Sequence, residues 1–191
     1  MIAAYLLIGA DCGARFFNDA PPGVLCNGCR VCLQDDYVPR NLAIMKKYDI
    51  SCTYDNRTIV SRRAVHAFNE YGISDIAFIP VTNREEYYFL KPSRQLVIDE
   101  FASGVKHGEQ CQSCGLRVGS IFDSLVLRDA LFPITDGIFR SDCMFGHNEG
   151  KTFAVLVGTH TRSAIIKEGL TGATLFPVMA QQSKPAFRHN A

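Results

Sequence analysis

The sequence predicts an α+β fold, with a small mixed sheet, helices packed on one of its faces and a loop region braced by a four-cysteine zinc site. Short apolar runs alternate along the chain with segments of helical periodicity. Two Cys-x-x-Cys motifs, at residues 26–29 and 111–114, lie in polar, glycine-rich surroundings. The 191 residues are 47% apolar, which is enough to form a buried core.

The first half of the chain opens with an apolar run at residues 2–8, which predicts a buried strand. Residues 9–40 are rich in Gly, Pro, Asp and Cys and predict an irregular, metal-braced loop. The apolar side chains at 42–45 favour a short helix. Ser61 is a suitable helix N-cap and Gly72 a suitable C-terminal stop, so a helix is expected between them.

The second half predicts a further series of short elements. In chain order these are strands at 76–79, 86–90 and 95–98, a second metal loop at 101–119, a short helix within 121–131, a strand at 153–157, a helix at 161–168 and a strand at 173–176. Residues 1–180 are expected to form a single domain. Residues 181–191 are polar and predict a flexible tail.

Residues 60–81 and 157–178 share one order of features. Each segment runs through a helical pattern, a glycine, an Ile or Leu, a hydroxyl residue and an apolar stretch that ends in Pro-Val. This order predicts a helix–Gly–strand unit at two places in the chain. A structural duplication would produce it, and so would chance, because helices commonly end in glycine.

The cysteine spacing indicates a metal site. Two intervening residues let both sulfurs of a Cys-x-x-Cys motif turn towards one point, and two such motifs supply the four ligands of a tetrahedral zinc ion. The candidate ligands are Cys26, Cys29, Cys111 and Cys114. Four protein ligands leave no position for water, so the predicted Zn²⁺ is structural. Cys32 continues the first motif and is an alternative to Cys29 as a ligand.

Two other uses of these motifs stay open. A thioredoxin-like thiol redox enzyme needs a strand before the motif and a helix starting at its first cysteine. Residues 21–23 (Pro-Pro-Gly) and 106–108 (Lys-His-Gly) predict loops there instead. A zinc-ribbon-like nucleic-acid-binding protein has its motifs roughly 15–20 residues apart. Here they are far more widely separated, and the net charge of +1 does not favour phosphate binding.

The sequence does not predict an enzyme. It contains no G-x-S-x-G, Walker A or H-E-x-x-H motif. Cys143 and His147 could form a catalytic pair or add metal ligands, but the glycines nearby favour a turn. Asp136 and Asp142 flank Arg140, and a carboxylate pair could transfer protons. A turn cap at Asp136 and an ion pair or backbone contacts of Arg140 explain these residues more simply.

Composition also limits location and partners. The run at residues 2–8 lacks a preceding basic residue and is too short for a secretory signal, so a cytoplasmic protein with reduced thiols is expected. No stretch reaches the roughly 20 apolar residues of a membrane span. Neither a membrane nor a nucleic acid is predicted as a partner, and the sequence leaves the oligomeric state open.

The double cysteine motif and the C-terminal third resemble the bacterial double-CXXCG family of immunity proteins from polymorphic toxin systems. The similar segments are 26–29, 87–99, 111–115, the D-x-F-R-like run at 136–140 with one residue inserted, and 153–157 with the G-L-x-G-x-x-F run that starts at Gly169 and ends at Phe176. Arg30 stands where the family often has glycine. Cys32 is an addition to the family pattern.

The resemblance implies a protein without catalytic activity that binds a cognate bacterial toxin and blocks its action. It does not identify the toxin or the binding surface. Tyr and Arg are common at binding hot spots, and they accompany carboxylates in three segments, 34–37, 54–57 and 83–87. These three segments are therefore candidate contact loops, although each could equally be a solvated turn.

Overall fold

A computed structural model of the protein describes residues 1–128, 130 and 132–181, and within them it has twelve strands and two α-helices. They are β1 (Ile2–Asp11), β2 (Ile50–Cys52), β3 (Thr58–Ser61), α1 (Arg62–Glu70), β4 (Ile76–Pro80), β5 (Tyr87–Pro92), β6 (Gln95–Leu96), β7 (Lys106–His107), β8 (Gly119–Ile121), β9 (Val126–Leu127), β10 (Ile138–His147), β11 (Thr152–Val157), α2 (Thr159–Lys167) and β12 (Ala173–Ala180). Apart from residue 181, the predicted flexible tail lies outside the described residues.

The strands join into one sheet with the order β4-β5-β3-β2-β1-β11-β10-β8-β7. Strand β12 pairs with both β1 and β9, and β6 pairs with β10. The β1–β2, β6–β10 and β9–β12 pairs are parallel and the others are antiparallel. The predicted α+β class with a mixed sheet is thus confirmed. The prediction of a small sheet is wrong, because many two- and three-residue strands extend it.

Strand β1 lies at the centre of the sheet and is longer than its apolar run. It pairs with β12 over most of its length, with β11 at Tyr5 and Leu6, and with β2 at its last two residues. Gly9 lies where β2 approaches most closely. A Cβ atom there would be 2.2 Å from the carbonyl carbon of Ser51, so only glycine fits at this crossing.

Both helices end as the sequence predicts. The Ser61 hydroxyl accepts a hydrogen bond from the Ala64 amide at 3.2 Å, which caps α1 at its N-terminus. Gly72 and Gly169 follow α1 and α2 with φ values of 66° and 60°. Phe68 of α1 and Ile165 of α2 are buried in the same core cluster. Helix α2 begins two residues earlier than predicted.

The two helix–Gly–strand units have the same local structure. After α1, the amides of Gly72 and Ile73 donate to carbonyls three and five residues back, and the residues after α2 make the same two bonds. Ile73 and Leu170 are both buried at the exit of their helices. The predicted unit is therefore present twice, and its origin by duplication stays a prediction.

Asp49 ties the two units together. Its carboxylate accepts hydrogen bonds from the Ser61 hydroxyl at 2.8 Å and from the amide and hydroxyl of Thr171 at 2.9 and 3.0 Å, and it pairs with Arg63 at 2.8 Å. Burial would raise the pKa of this carboxyl, but the bonds from Thr171 and Ser61 and the charge of Arg63 outweigh burial and lower the pKa.

Replacement of Asp49 by asparagine is expected to lower the free energy of unfolding by about 2 kcal/mol at pH 7, because it removes the charge and one acceptor of this network. A lowered pKa means that the stabilisation is complete above the ordinary value of about 4 and is lost as the pH falls further. Urea unfolding of both proteins across this range should show the difference shrinking in acid. If the difference in unfolding free energy between the two proteins did not change with pH, the Asp49 charge would not be the source of the stabilisation.

Two predicted helices are absent from the described residues. Residues 42–45 are irregular, because the amides of Leu42 and Met45 donate to the distant carbonyls of Val81 and Cys12 instead of forming a helical turn. The segment at 121–131, as far as it is described, holds the end of β8 and the short strand β9. Both predictions were wrong because pairing with remote segments outweighs a weak local preference.

The sequence did not predict β10, the ten-residue strand between β8 and β11. Its register with β11 shifts between Arg140 and Met144, so its side chains do not alternate strictly between the two faces. Ser141 is fully buried there, with its hydroxyl donating to the Cys143 carbonyl at 2.6 Å. A polar residue facing the core obscures the strand pattern.

Neither helix of the described chain is long and apolar enough to cross a membrane.

Candidate metal centre

The first Cys-x-x-Cys motif folds into a tight turn, here called the first knuckle. The Arg30 amide donates to the Cys26 carbonyl at 2.8 Å, and the Cys26 amide donates to the Val31 carbonyl at 2.9 Å. A β-bridge between Leu25 and Cys32 closes the turn at its base. These bonds fix the direction of both cysteine side chains.

The second motif repeats this geometry as the second knuckle. The Gly115 amide donates to the Cys111 carbonyl at 2.8 Å, and the Cys111 amide donates to the Leu116 carbonyl at 2.8 Å. A bridge between Gln110 and Arg117 closes this turn. Equivalent positions in the two knuckles are 85 residues apart in the chain. The shared geometry follows from the shared Cys-x-x-Cys spacing.

The two knuckles bring Cys26, Cys29, Cys111 and Cys114 together, with all four Sγ atoms within 4.8 Å of one another. The Sγ atoms of Cys26 and Cys111 are 3.8 Å apart, and those of Cys29 and Cys114 are 3.6 Å apart. Zinc–sulfur bonds of about 2.3 Å in a tetrahedron give sulfur separations of roughly 3.8 Å. The group is therefore compatible with one bound metal ion.

The knuckles lie in close contact at Gly28. A Cβ atom at this position would be 2.7 Å from the Ser113 hydroxyl and 3.4 Å from the Cys111 sulfur. Cys32 is not in the group, although the sequence allows it as a ligand. Its thiol donates to the Gln34 carbonyl at 3.3 Å. The structure thus places Cys29, rather than Cys32, beside the other three cysteines.

Backbone amides favour the thiolate form of one cysteine in each knuckle. The amides of Cys29 and Gly28 point at the Cys26 sulfur and lower its pKa. The amides of Cys114 and Ser113 lower the pKa of Cys111 to about 6. Hydrogen bonds of this kind stabilise the negative charge that a metal-ligating sulfur carries.

Without a bound metal ion, the second cysteine of the first knuckle, Cys29, resists ionisation. Burial raises the pKa of Cys29 to about 12, and its three neighbouring cysteines contribute to that rise. Four negative sulfurs at these distances would repel one another strongly. A bound cation removes this conflict, because ligating thiols are deprotonated outright by the metal. The electrostatics of the group are thus compatible with a metal site.

Arg30 and Gly115 occupy equivalent positions, and both adopt left-handed backbone conformations with φ values of 64° and 73°. The knuckle geometry requires this conformation after its second cysteine. Glycine adopts it freely, whereas other residues do so at a cost of about 1 kcal/mol. Arginine is therefore compatible with the knuckle at position 30. The Arg30 guanidinium also pairs with Glu149 at 3.0 Å.

Gly115→Ala is expected to lower the free energy of unfolding by about 1 kcal/mol, through backbone strain alone. A Cβ atom at Gly115 would meet no atom within 4 Å, so steric contact does not contribute. Arg30→Gly is the matched opposite change and should be slightly stabilising, because an exposed ion pair contributes little. Urea unfolding of the metal-loaded proteins measures both. Equal stability of Gly115→Ala and wild type would show that the left-handed backbone at residue 115 causes no strain in other residues.

The turn after β10 connects the two knuckles, a role that the sequence did not indicate. Glu149 pairs with Arg30 beside the first knuckle. Lys151 is 6% exposed and donates from Nζ to the Arg117 carbonyl beside the second knuckle at 2.6 Å. Burial lowers the pKa of Lys151, and the Cys29 and Cys114 sulfurs oppose that shift. A divalent ion held by four thiolates would give the group two negative charges, which this ammonium group would partly offset.

The other candidate residues do not form a site. Cys143 and His147 both lie on β10, and four residues along a strand span roughly 13 Å. Asp136 pairs with His160 at 3.2 Å on an exposed surface. Asp142 accepts a hydrogen bond from the Ile98 amide at 2.9 Å, which is a structural contact. Cys143 and His147 thus lie on a strand and not in the predicted turn, and the Asp136 carboxylate contacts His160 where a turn cap was predicted.

All eight cysteines are free, so the group consists of thiols that can bind a metal. Four protein ligands would close the coordination shell of a metal ion, and a site of that kind braces structure. Neither a search against protein-family models nor a search of curated proteins gives a match to this chain.

Proposed function

We propose that this chain is an immunity protein that binds and neutralises a cognate bacterial toxin, with a structural zinc ion joining its two knuckles. The observation that supports the proposal is the convergence of Cys26, Cys29, Cys111 and Cys114 into one four-sulfur group. The double-CXXCG resemblance names the same four residues. A metal-braced protein without an open coordination position is suited to binding and not to catalysis.

Zinc is the proposed ion because its chemistry matches this group. Thiolates are soft ligands, and a tetrahedral set of four sulfurs selects zinc or an iron–sulfur centre. The separations of 3.6 and 3.8 Å across the group agree with a single ion of zinc's bond length. The reduced state of all eight cysteines supports a cytoplasmic location, where thiols do not form disulfides.

We also propose that residues 1–180 form a single domain with both helices on one face of the sheet. Helices α1 and α2 share a core cluster with Leu7 of β1, Val60 of β3 and Val157 of β11. The two helices are also joined directly, since the Tyr71 hydroxyl donates to the Glu168 carboxylate at 3.0 Å. Contacts that link both ends of the chain support one cooperative unit.

The structure changes which surfaces are candidates for toxin contact. Asp55 and Arg57 in the second candidate loop are buried, and so is Tyr87 in the third, so these side chains are not free anchors. Large apolar side chains are instead exposed on the second metal loop and next to it. Phe101 is 97% exposed and Ile121 is 62% exposed. Exposed apolar groups on a metal-braced loop are suited to a protein interface.

The test uses the protein encoded by the gene adjacent to this one as the candidate toxin. We expect that protein to stop growth of a bacterial host when expressed alone, and co-expression of this chain to restore growth. The two purified proteins should form a complex by size-exclusion chromatography. Growth arrest that persists despite soluble, metal-loaded immunity chain would contradict the proposal.

A matched pair of variants links the surface to the activity. Phe101→Ser removes the aromatic side chain that is most exposed among the described residues without opening the core, and Phe132→Ser makes the same change at another exposed position. If the metal loop forms the interface, only Phe101→Ser should weaken protection. Full protection by Phe101→Ser would remove this loop as the contact surface.

A further inference from the structure

A cavity of about 310 Å³ lies apart from the metal centre. Its walls come from β5, from the start of β3 and from the neighbouring strands β10 and β11. Its volume is at the lower end of the range for small-molecule sites, which suits a ligand of about ten non-hydrogen atoms. Neither the cysteine group nor the proposed toxin contact uses this space.

Arg57 contributes a buried cation to the cavity lining. The residue is 7% exposed, and its guanidinium lies 4.8 Å from the centre of the Phe17 ring. Nη1 donates to the Asp55 carbonyl at 3.0 Å and Nη2 donates to the Lys151 carbonyl at 3.3 Å. A guanidinium has five N–H donors, so these two bonds leave donors for a ligand. Burial lowers the pKa of Arg57, and the Cys32 side chain, which contacts the guanidinium, opposes that shift together with Asp55 and Asp35.

No carboxylate of the described residues lies within ion-pair distance of Arg57. The nearest acids are occupied elsewhere. Both carboxylate oxygens of Asp55 accept backbone amides, from Phe16 and Phe17, at 2.9 Å. Asp35, which also lines the cavity, pairs with Lys91 at 3.8 Å. Arg57 therefore has no direct ion pair, although the Asp55 and Asp35 carboxylates lie near enough to favour its charge.

Arg140 adds a second cation to the same lining. It lies on β10, and its guanidinium is 4.1 Å from the centre of the Phe153 ring on β11. The sequence predicted an ion pair or backbone contacts for Arg140, and across the described residues its guanidinium has no carboxylate partner. The lining thus has three cationic side chains, Arg57, Lys91 and Arg140, and one carboxylate, Asp35, and neither arginine forms an ion pair among the described residues.

The rest of the lining is mainly apolar. Phe89, Leu90 and Pro92 of β5 line the cavity together with Phe153 and Val155 of β11. An apolar wall favours a ligand with an aromatic or branched aliphatic body. It also disfavours a phosphate dianion, because the cost of removing an ion from water rises steeply with its charge. A single negative charge on an apolar body fits these walls.

We propose that this cavity binds a small carboxylic acid with an aromatic or branched aliphatic body, with its carboxylate held by Arg57 and Arg140. The planar guanidinium fork matches the two oxygens of a carboxylate. The apolar body of the acid then lies against the side chains of β5 and β11. This inference is independent of the proposed toxin binding, since it uses neither the metal loop nor its exposed side chains.

The test titrates the metal-loaded protein with 3-phenylpropionate and 4-methylpentanoate by NMR, and compares each acid with its neutral amide. We expect saturable binding with dissociation constants below about 1 mM, and at least about tenfold weaker binding of the amides. Because this comparison uses the wild-type protein, it does not depend on the folding of a variant. Absence of saturable binding of both acids up to about 10 mM would overturn the proposal.

Arg140→Gln identifies the cavity as the site, since it removes the charge and keeps most of the side chain. We expect it to weaken acid binding by at least about tenfold without changing metal content. Arg40→Gln removes a charge from an exposed position outside the lining and is the matched control. Equal affinity of Arg140→Gln and wild type, or amides that bind as tightly as the acids, would overturn the proposal.

Discussion

Cys114→Ser is expected to release the bound metal ion and to lower the free energy of unfolding by roughly 5 kcal/mol or more. Structural zinc supplies on the order of 10 kcal/mol of apparent folding free energy in small domains, and serine cannot replace a thiolate ligand. Mass spectrometry of the purified protein should find about one metal ion per chain in the wild type and a small fraction of that in the variant. Thermal unfolding should show a correspondingly lower midpoint.

Cys32→Ser is the matched control, because it makes the same chemical change close to the first knuckle but outside the four-sulfur group. It should keep the full metal content and nearly the full stability. Loss of metal from Cys32→Ser, or retention of metal by Cys114→Ser, would contradict the ligand assignment. Addition of a strong chelator to the wild type should reproduce the unfolding behaviour of Cys114→Ser.

Asp55→Ala is expected to lower the free energy of unfolding by about 3 kcal/mol. The Asp55 residue is 2% exposed, and its carboxylate accepts the backbone amides of Phe16 and Phe17, both at 2.9 Å. Alanine leaves both amides buried without a partner, and each such loss costs about 1–3 kcal/mol. Phe16 and Phe17 are part of a core cluster under the first metal loop, so that loop should open first.

Urea unfolding measures the global effect, and hydrogen exchange at the amides of residues 16 and 17 measures the local one. Asp36→Ala, at an exposed position in a neighbouring loop, is the control and should change neither quantity appreciably. Unchanged exchange at these two amides in Asp55→Ala would show that the carboxylate does not hold the loop.

Elements with strong local signals were predictable from the sequence. Helix α1 has a serine cap and a glycine stop, and both act as such in the structure. The apolar runs in β1 and β11 are strands because a continuous apolar run is buried most easily in the middle of a sheet. These signals depend only on neighbouring residues, so no knowledge of the remaining chain is needed.

The elements that the sequence did not reveal depend on remote partners. Strand β9 has two residues and exists because it pairs with β12. Strand β10 includes a register shift and buried Ser141, which hide its periodicity. The segment at 42–45 has apolar residues that favour a helix, yet its amides bond to other parts of the chain. The conformational preference of neighbouring residues is too weak to predict which secondary structure these segments adopt.

The four cysteines could be identified as a group because the Cys-x-x-Cys spacing itself determines the knuckle. Lys151, Arg57 and Asp55 could not, since a single charged residue in a sequence is most often exposed. Lys151 is buried because the turn after β10 lies beside both knuckles, a placement that only the folded sheet determines. The sequence thus reveals the metal site but not the charges that surround it.

The order of the sheet has a consequence for biosynthesis. Strand β1 is synthesised before the other strands of the sheet, but its partners β11 and β12 are made after the rest of the sheet. Cys26 likewise precedes its neighbour Cys111 by 85 residues, which at roughly 5–20 residues per second is a delay on the order of 10 s. During that interval an apolar strand and two reactive thiols are unprotected. We therefore expect a chaperone to cover the nascent chain until synthesis is nearly complete.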